Sequence, residues 1–451
     1  MTAPQAGASD SGPGFARQLG TFDSTMLVIG GIIGAGIFLN PAIVAQRAGT
    51  AGLTIAVWAL GGLIALAGAL CFAELGARAP RSGGGYVYIR QTFGPLAAFL
   101  YGWTLLLVIA TGAIAAVAVS FAHYATALIG APESLNTPLA IGAIALLSVV
   151  NYLGIKPGAT TQNVFTLLKL AALALLIGVG LLFTPHVSAA DSQPLVQTKS
   201  LGVAIGVALI PVLFSYGGWQ QTNFVAEEMK DAERTLPRAL LLGVAGVFLV
   251  YVLTNIVYIR HLGVSGLAAS SAPASDVMRH TLGDWGATAI AAGITFSTFG
   301  FLNLVIMVTP RVYQAMAADG VFFPAVAALH PHYRTPALAL AIQAVWAVVL
   351  ALSGSYGQVL DYVTFGDWIF FGLTAATLFV YRRADVTGGR RGFRTPGYPF
   401  VPAFFVLAAA YVVISSVIDN PWNAAVGAGL IGLGVPAYAL FRYTSGRAGA
   451  A

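Results

Sequence analysis

The chain has 451 residues, 58% of them hydrophobic and only 8% charged, with a formal net charge of +6. A mean hydropathy of +0.82 excludes an ordinary soluble domain, and apolar runs of about 18 to 25 residues, the length that crosses a bilayer core, recur along it. The basic excess does not describe a nucleic-acid surface, because the lysines and arginines sit in the short segments between those runs, where they report topology.

In chain order, the first 22 residues are rich in Gly, Ala, Ser and Pro without an apolar core. They read as a disordered cytoplasmic tail and not as a cleaved signal peptide. Twelve apolar segments follow, at 23–47, 52–76, 93–129, 137–154, 163–183, 201–227, 238–259, 285–317, 336–353, 358–381, 399–418 and 423–442, with a short interfacial helix at 274–283 and a second tail at 443–451. With the N-terminus inside, 17 of the 22 Lys and Arg residues fall on the cytoplasmic side, against Arg47, Lys199, Arg260 and Arg279 outside and Lys169 within the fifth segment. The positive-inside rule then predicts a multi-pass protein of the cell inner (plasma) membrane with both termini cytoplasmic. The sole cysteine, Cys71, lies in the second segment, so no internal disulfide forms and no outside thiol is present to tether a covalently linked partner subunit.

The first segment is interrupted at Gly30-Gly31-Ile32-Ile33-Gly34-Ala35-Gly36, and the sixth at Phe214-Ser215-Tyr216-Gly217-Gly218-Trp219. Helix breaks at membrane depth free N–H and C=O groups that hydrocarbon cannot satisfy, so they survive where they line a cavity or a ligand. Segments one and six are equivalent positions of two five-helix halves, the pattern of an inverted-repeat secondary transporter. Restarting at Gly34-Ala35-Gly36, a half-helix offers leading N–H groups and the positive end of its dipole to a carboxylate. Carbonyls near Ile32, Ile33, Phe214 and Ser215 suit an ammonium, and the two charges together match an α-amino acid zwitterion. A GxxxG packing face is the competing explanation, although Gly30, Gly31, Gly34 and Gly36 are spread around the helix instead of sharing one side. A dinucleotide loop fails because no strand precedes the glycines.

Lys169 stands about six residues into the fifth segment, roughly 9 Å deep at 1.5 Å per residue, where it either snorkels to the interface or serves inside. The run Glu227, Glu228, Lys230, Asp231, Glu233, Arg234 and Arg238 reads as an ion-pair cluster able to latch a cytoplasmic gate. Asp367 in the tenth segment reads as a proton site or as a hydrogen-bonded carboxyl near a helix start. His123 reads as a packed residue. His330-Pro331-His332 lacks further ligands at metal spacing, so no metal is expected. No nucleophile, base and orienting group occur together, which argues against an enzyme, and no cofactor is implied.

Several of these stretches together resemble the amino acid, polyamine and organocation (APC) superfamily, in particular its L-type amino acid transporter branch. The resemblance is carried by Ile29-Gly30-Gly31-Ile32-Ile33-Gly34-Ala35-Gly36-Ile37-Phe38, by Pro80-Arg81-Ser82-Gly83-Gly84-Gly85-Tyr86-Val87-Tyr88 with Phe93-Gly94-Pro95 and Phe99-Leu100-Tyr101-Gly102-Trp103, and by Tyr216-Gly217-Gly218-Trp219 running to Glu227-Glu228-Met229-Lys230 and Arg234-Thr235-Leu236-Pro237-Arg238. His330-Pro331, Thr335-Pro336 and Phe393-Arg394-Thr395-Pro396-Gly397-Tyr398-Pro399 agree, so that the match spans roughly residues 20–400.

The resemblance implies an all-α membrane protein of twelve transmembrane helices with a LeuT-type 5+5 inverted repeat, discontinuous first and sixth helices, repeats at 23–183 and 201–381, and two additional helices at 399–442. It implies substrate contacts from Ile32, Gly34, Ala35 and Gly36 and from Phe214 and Gly217, with Phe214 also an aromatic gate. Asn163-Val164-Phe165-Thr166-Leu167-Leu168-Lys169 fits a pattern in which the lysine occupies the place of a sodium ion, with Ser297 or Thr298 of the eighth helix as hydroxyl partners. The expected function is alternating-access, sodium-independent exchange of neutral amino acids, since neither Asp nor Arg lines the breaks. The alternatives are a proton-coupled symporter, in which Lys169 titrates, and a non-transporting amino acid sensor, which the short tails disfavour. A channel is disfavoured because no ring of pore charges appears.

Overall fold

Hydrocarbon offers no partner for a bare N–H or C=O, so a chain this apolar satisfies its backbone within helices. The computed structural model describes residues 14–184, 187–188, 190–195, 200–353, 356–384 and 392–448, with side chains at all of these except 356–364 and 444–448. The helices are α1 Thr21–Ile32, α2 Gly36–Ala48, α3 Ala51–Arg78, α4 Gly85–Phe93, α5 Pro95–Thr104, α6 Ala110–Ile129, α7 Asn136–Tyr152, α8 Ile155–Leu182, α9 Leu201–Ser215, α10 Ala232–Ala269, α11 Pro273–Val308, α12 Pro310–Ala318, α13 Ala337–Ser353, α14 Tyr356–Arg383, α15 Phe400–Asp419, α16 Pro421–Gly432 and α17 Gly434–Ala448. A π-helical turn, Leu105–Ile109, joins α5 to α6, and the 3-10 segment Trp219–Glu228 follows α9 after a turn.

Among the described residues, nine helical stretches are long and apolar enough to cross a membrane, and α1 with α2, bent by 41° at their junction, makes a tenth. Helices also cover the two other segments expected from the sequence, α13 with 17 residues and α14 with 28. The short helix expected at 274–283 is the first part of α11, set off from the rest by Gly283 at φ +70°.

The N-terminal tail differs from its expectation. Residues 1–13 lie outside the described residues, as do Lys199, Arg390 and Arg391 of the charge count. Beyond them the chain is docked: Leu19 is fully buried, Gln18 and Leu19 both donate to the Glu228 carbonyl at 2.9 Å, and Lys230 N–H donates to Leu19 at 2.8 Å. Composition does not single out the apolar residues of the tail that find a seat, Leu19 and also Phe15, whose ring lies 5.7 Å from the Arg311 guanidinium.

Packing places the first break at the centre. α1 contacts α8, α10 and α11, while α2 contacts α9 and α10. Lipid supplies little drive for one helix to join another, so close approach through small residues matters. A Cβ at Gly62 of α3 would stand 2.1 Å from the Phe248 ring, and one at Gly68 2.4 Å from that of Phe405.

Candidate functional site

The first segment does break. α1 ends at Ile32, Ile33 is extended at φ −78°, ψ 95°, and α2 restarts at Gly36. Its freed carbonyls are mostly taken by buried side chains. Lys169 Nζ, with no exposed surface, donates to Gly30 O at 3.1 Å and to Ile33 O at 2.5 Å. Ser297 donates to Ile33 O at 3.3 Å and Gly34 O at 3.0 Å. The Tyr251 hydroxyl of α10 lies 3.1 Å from Ile32 O and 3.2 Å from Ser215 O, joining the ends of the two half-helices α1 and α9. On the restarting side the account differs, because among the described residues no protein acceptor takes the N–H of Ala35, Gly36 or Ile37. These are leading donors of a helix, whose positive end attracts an anion.

The sixth segment breaks in the matching way, α9 ending at Ser215 and the 3-10 segment starting at Trp219. Gly218 adopts φ +101°, a conformation that favours glycine, and a Cβ there would lie 2.1 Å from Gly31 O. The two breaks therefore touch backbone to backbone. A Cβ at Gly36 would meet Ser215 Oγ at 2.6 Å, and Asn40 of α2 donates to Pro211 O at 3.0 Å and Ser215 Oγ at 2.8 Å. Gly218→Ala is accordingly expected to lower stability by about 2–3 kcal/mol through strain and overlap. A thermal midpoint equal to that of the wild type would show that the two breaks are not in contact.

Both breaks open on one cavity of about 260 Å³. From the breaks it is lined by Ile32, Gly34, Ala35, Gly36, Phe214, Ser215 and Gly217, from α6 by Ala110 and Ala113 among others, from α11 by Phe301, and from α14 by Asp367, Trp368 and Phe371. Phe214, 43% exposed, stands on its wall and not in a packed core.

Two residues singled out for the site are placed elsewhere. Ile33 is not among the cavity lining; its side chain is buried, and its carbonyl is turned to Lys169 and Ser297. Thr298 donates to Ile294 O and Thr295 O of its own helix, because neighbouring positions on a helix point about 100° apart and Ser297 already holds the face toward the break. Tyr251, Asn40 and Phe301 were not singled out, since no local pattern marks a side chain whose partner is far along the chain.

Asp367 is not near a helix start: α14 begins at Tyr356, and the carboxylate reaches the central cavity. His123 is exposed instead of packed. His330 Nδ1 accepts from the N–H groups of His332 and Tyr333, which makes it a loop brace. Within the mixed-charge run, Arg234 pairs with Asp231 at 3.7 Å on the surface. The strong pair reaches outside the run: Glu228 holds Arg311 of α12 in two bonds of 2.8 and 3.1 Å, both side chains being fully buried.

Comparison with known proteins agrees with this geometry. The family model described as amino acid permease matches residues 19–440. The chain is 32% identical over 460 residues to the large neutral amino acids transporter small subunit 2 of Mus musculus, covering 98% of this chain and 84% of that protein. It is 30% identical over 437 residues to the b(0,+)-type amino acid transporter 1 of Mus musculus, covering 95% and 88%, and 30% identical over 434 residues to the cystine/glutamate transporter of Homo sapiens, covering 94% and 85%. An all-helical membrane architecture, paired helix breaks around a common cavity and a match over nearly the whole chain lead to one conclusion: this protein is a member of the amino acid permease family within the APC superfamily, a transporter and not an enzyme.

Proposed function

We propose that the protein is a sodium-independent exchanger of neutral L-amino acids, working by alternating access at the cavity between the two breaks. The observation that carries the reading is the pair of unclaimed N–H groups of Ala35 and Gly36, both lining that cavity, with that of Ile37 next in the same half-helix. A substrate carboxylate binds there, at the leading donors and the positive dipole end of α2. Its ammonium meets the second break at the Phe214 carbonyl, which takes the Gly217 N–H within the turn at 3.2 Å and whose approach a bare Gly217 keeps open, since a Cβ there would lie 3.3 Å from that oxygen. Phe214 closes over the bound molecule. Ile33 is left out of the binding set, because Lys169 and Ser297 occupy its carbonyl.

Lys169 supports sodium independence. Its ammonium already ties the end of α1 to α8 while Ser297 ties it to α11, so the carbonyls that a sodium ion would need are taken. The relatives support the substrate class, one being named for large neutral amino acids. In this reading all twelve segments cross the plasma membrane with cytoplasmic termini, as the basic residues suggest, and 23–183 and 201–381 form the inverted repeats, followed by two additional helices at 399–442. One relative is named a small subunit. Here the sole cysteine, Cys71, is buried in α3, which supports function without a disulfide-linked subunit.

The experiment is uptake of labelled leucine into proteoliposomes with choline replacing sodium, with and without internal amino acid. Full uptake in choline, stimulated several-fold by internal amino acid, is expected. Loss of uptake in choline would refute sodium independence, and uptake driven by a pH gradient without internal substrate would replace exchange with symport.

A further inference from the structure

One charged side chain, Asp367, lines the cavity. It sits well inside α14, half-buried, and among the described residues no donor hydrogen-bonds or ion-pairs with its carboxylate. A carboxylate at membrane depth is retained where it meets a partner, water or a ligand, and here the space beside it is the cavity itself. The breaks supply no Asp or Arg; the chamber as a whole adds this acid.

The surrounding wall is shaped to let a side chain reach it. Ala110 and Ala113 of α6 leave volume where larger residues would fill it. Immediately before them the π-helical turn Leu105–Ile109 widens the helix, a feature found often at functional sites. This turn packs beside the acid, since a Cβ at neighbouring Gly366 would lie 3.5 Å from Ile109 Cδ1. A headgroup held at the breaks sends its side chain into the remaining space, where the apolar and aromatic Phe301, Trp368 and Phe371 stand with the uncharged polar Asn40, Ser120, Gln220 and Gln221.

We infer that Asp367 is a specificity-determining residue: it favours amino acids whose side chain ends in a hydrogen-bond donor, an ammonium above all, over apolar ones of equal length, and so extends a neutral-amino-acid site to dibasic substrates. The inference rests on reading the cavity as the amino acid site. Among the described residues no cation stands at the carboxylate to cancel its charge, and an apolar chain end would leave it without a partner once the substrate is enclosed.

Ornithine and norleucine test this, because they match in length and differ in an ammonium against a methyl group. Each competes against labelled leucine exchange in proteoliposomes containing the full-length protein or D367N, and each is also tested for thermal stabilisation of the same proteins in detergent. Ornithine is expected to compete in the wild type, and D367N is expected to shift the ornithine-to-norleucine preference by about tenfold or more toward norleucine. If D367N does not fold, D367E, which keeps the charge on a longer arm, should still favour ornithine, and D367S should not. Wild-type protein that exchanges norleucine and rejects ornithine overturns the inference alone. So does a preference unchanged in D367N, including the case where both substrates weaken together, as a proton-carrying or purely structural carboxyl would give. Failure to exchange any amino acid overturns the underlying site reading, and the inference with it.

Discussion

Replacing Lys169 with alanine is expected to abolish exchange and to lower stability by about 3–5 kcal/mol. Its Nζ is fully buried and serves two main-chain oxygens at the end of α1. Truncation orphans the Gly30 carbonyl, leaves Ile33 with Ser297 alone, and opens a void between α1, α8 and α11. Each of these acts in the same direction, because a buried acceptor without a donor keeps the whole desolvation penalty. Lys169→Met separates the terms, since it keeps most of the volume and removes only the donors. Methionine should recover part of the thermal midpoint and none of the exchange. Sodium that restores exchange to Lys169→Ala would show the ammonium acting as a built-in cation. An alanine variant with wild-type midpoint and exchange rate would show instead that the first break holds its shape unaided.

The second large effect is expected at Glu228 and Arg311, the fully buried pair joining the end of the 3-10 segment to α12. Arg311 Nη1 also donates to Met307 O, and the Glu228 carbonyl receives both N–H groups of the docked N-terminal segment. Removing one member, as in Glu228→Leu or Arg311→Met, strands a charge in a low-dielectric setting and should destabilise by about 3–5 kcal/mol. A paired replacement, Glu228→Leu with Arg311→Met, should lose less than either single change, because no isolated charge remains. Thermal midpoints of the four proteins form a double-mutant cycle, and strictly additive losses would mean that the two charges are not coupled. Exchange rates of the same proteins report whether this side of the molecule must part for substrate to leave.

Much of the architecture is legible in the sequence because hydrocarbon is a strict solvent. Apolar length alone marks each segment where a helix now stands, and glycine clusters at 30–36 and 216–218 mark both interruptions. Lys169 stood out because a charge inside an apolar run needs a reason. What the chain conceals is long-range pairing. Tyr251 is one of 17 tyrosines, and nothing near it hints that its hydroxyl meets Ile32 and Ser215. Arg311 looks like one more basic residue of a cytoplasmic segment until Glu228 is seen beside it. Ser297 and Thr298 are indistinguishable in composition, and only the rotational phase of α11 decides between them. Asp367 lies nine residues into the expected segment and eleven into α14, and its sequence neighbourhood alone does not show that it borders the cavity.

A phenol has one hydrogen, and at Tyr251 two oxygens compete for it, one belonging to each interrupted segment. Full strength toward both is geometrically impossible, so the bond is divided according to how the segments lie. Any sliding of one against the other reapportions it, and α10 thereby registers the relative position of the two arms in the currency of a single proton.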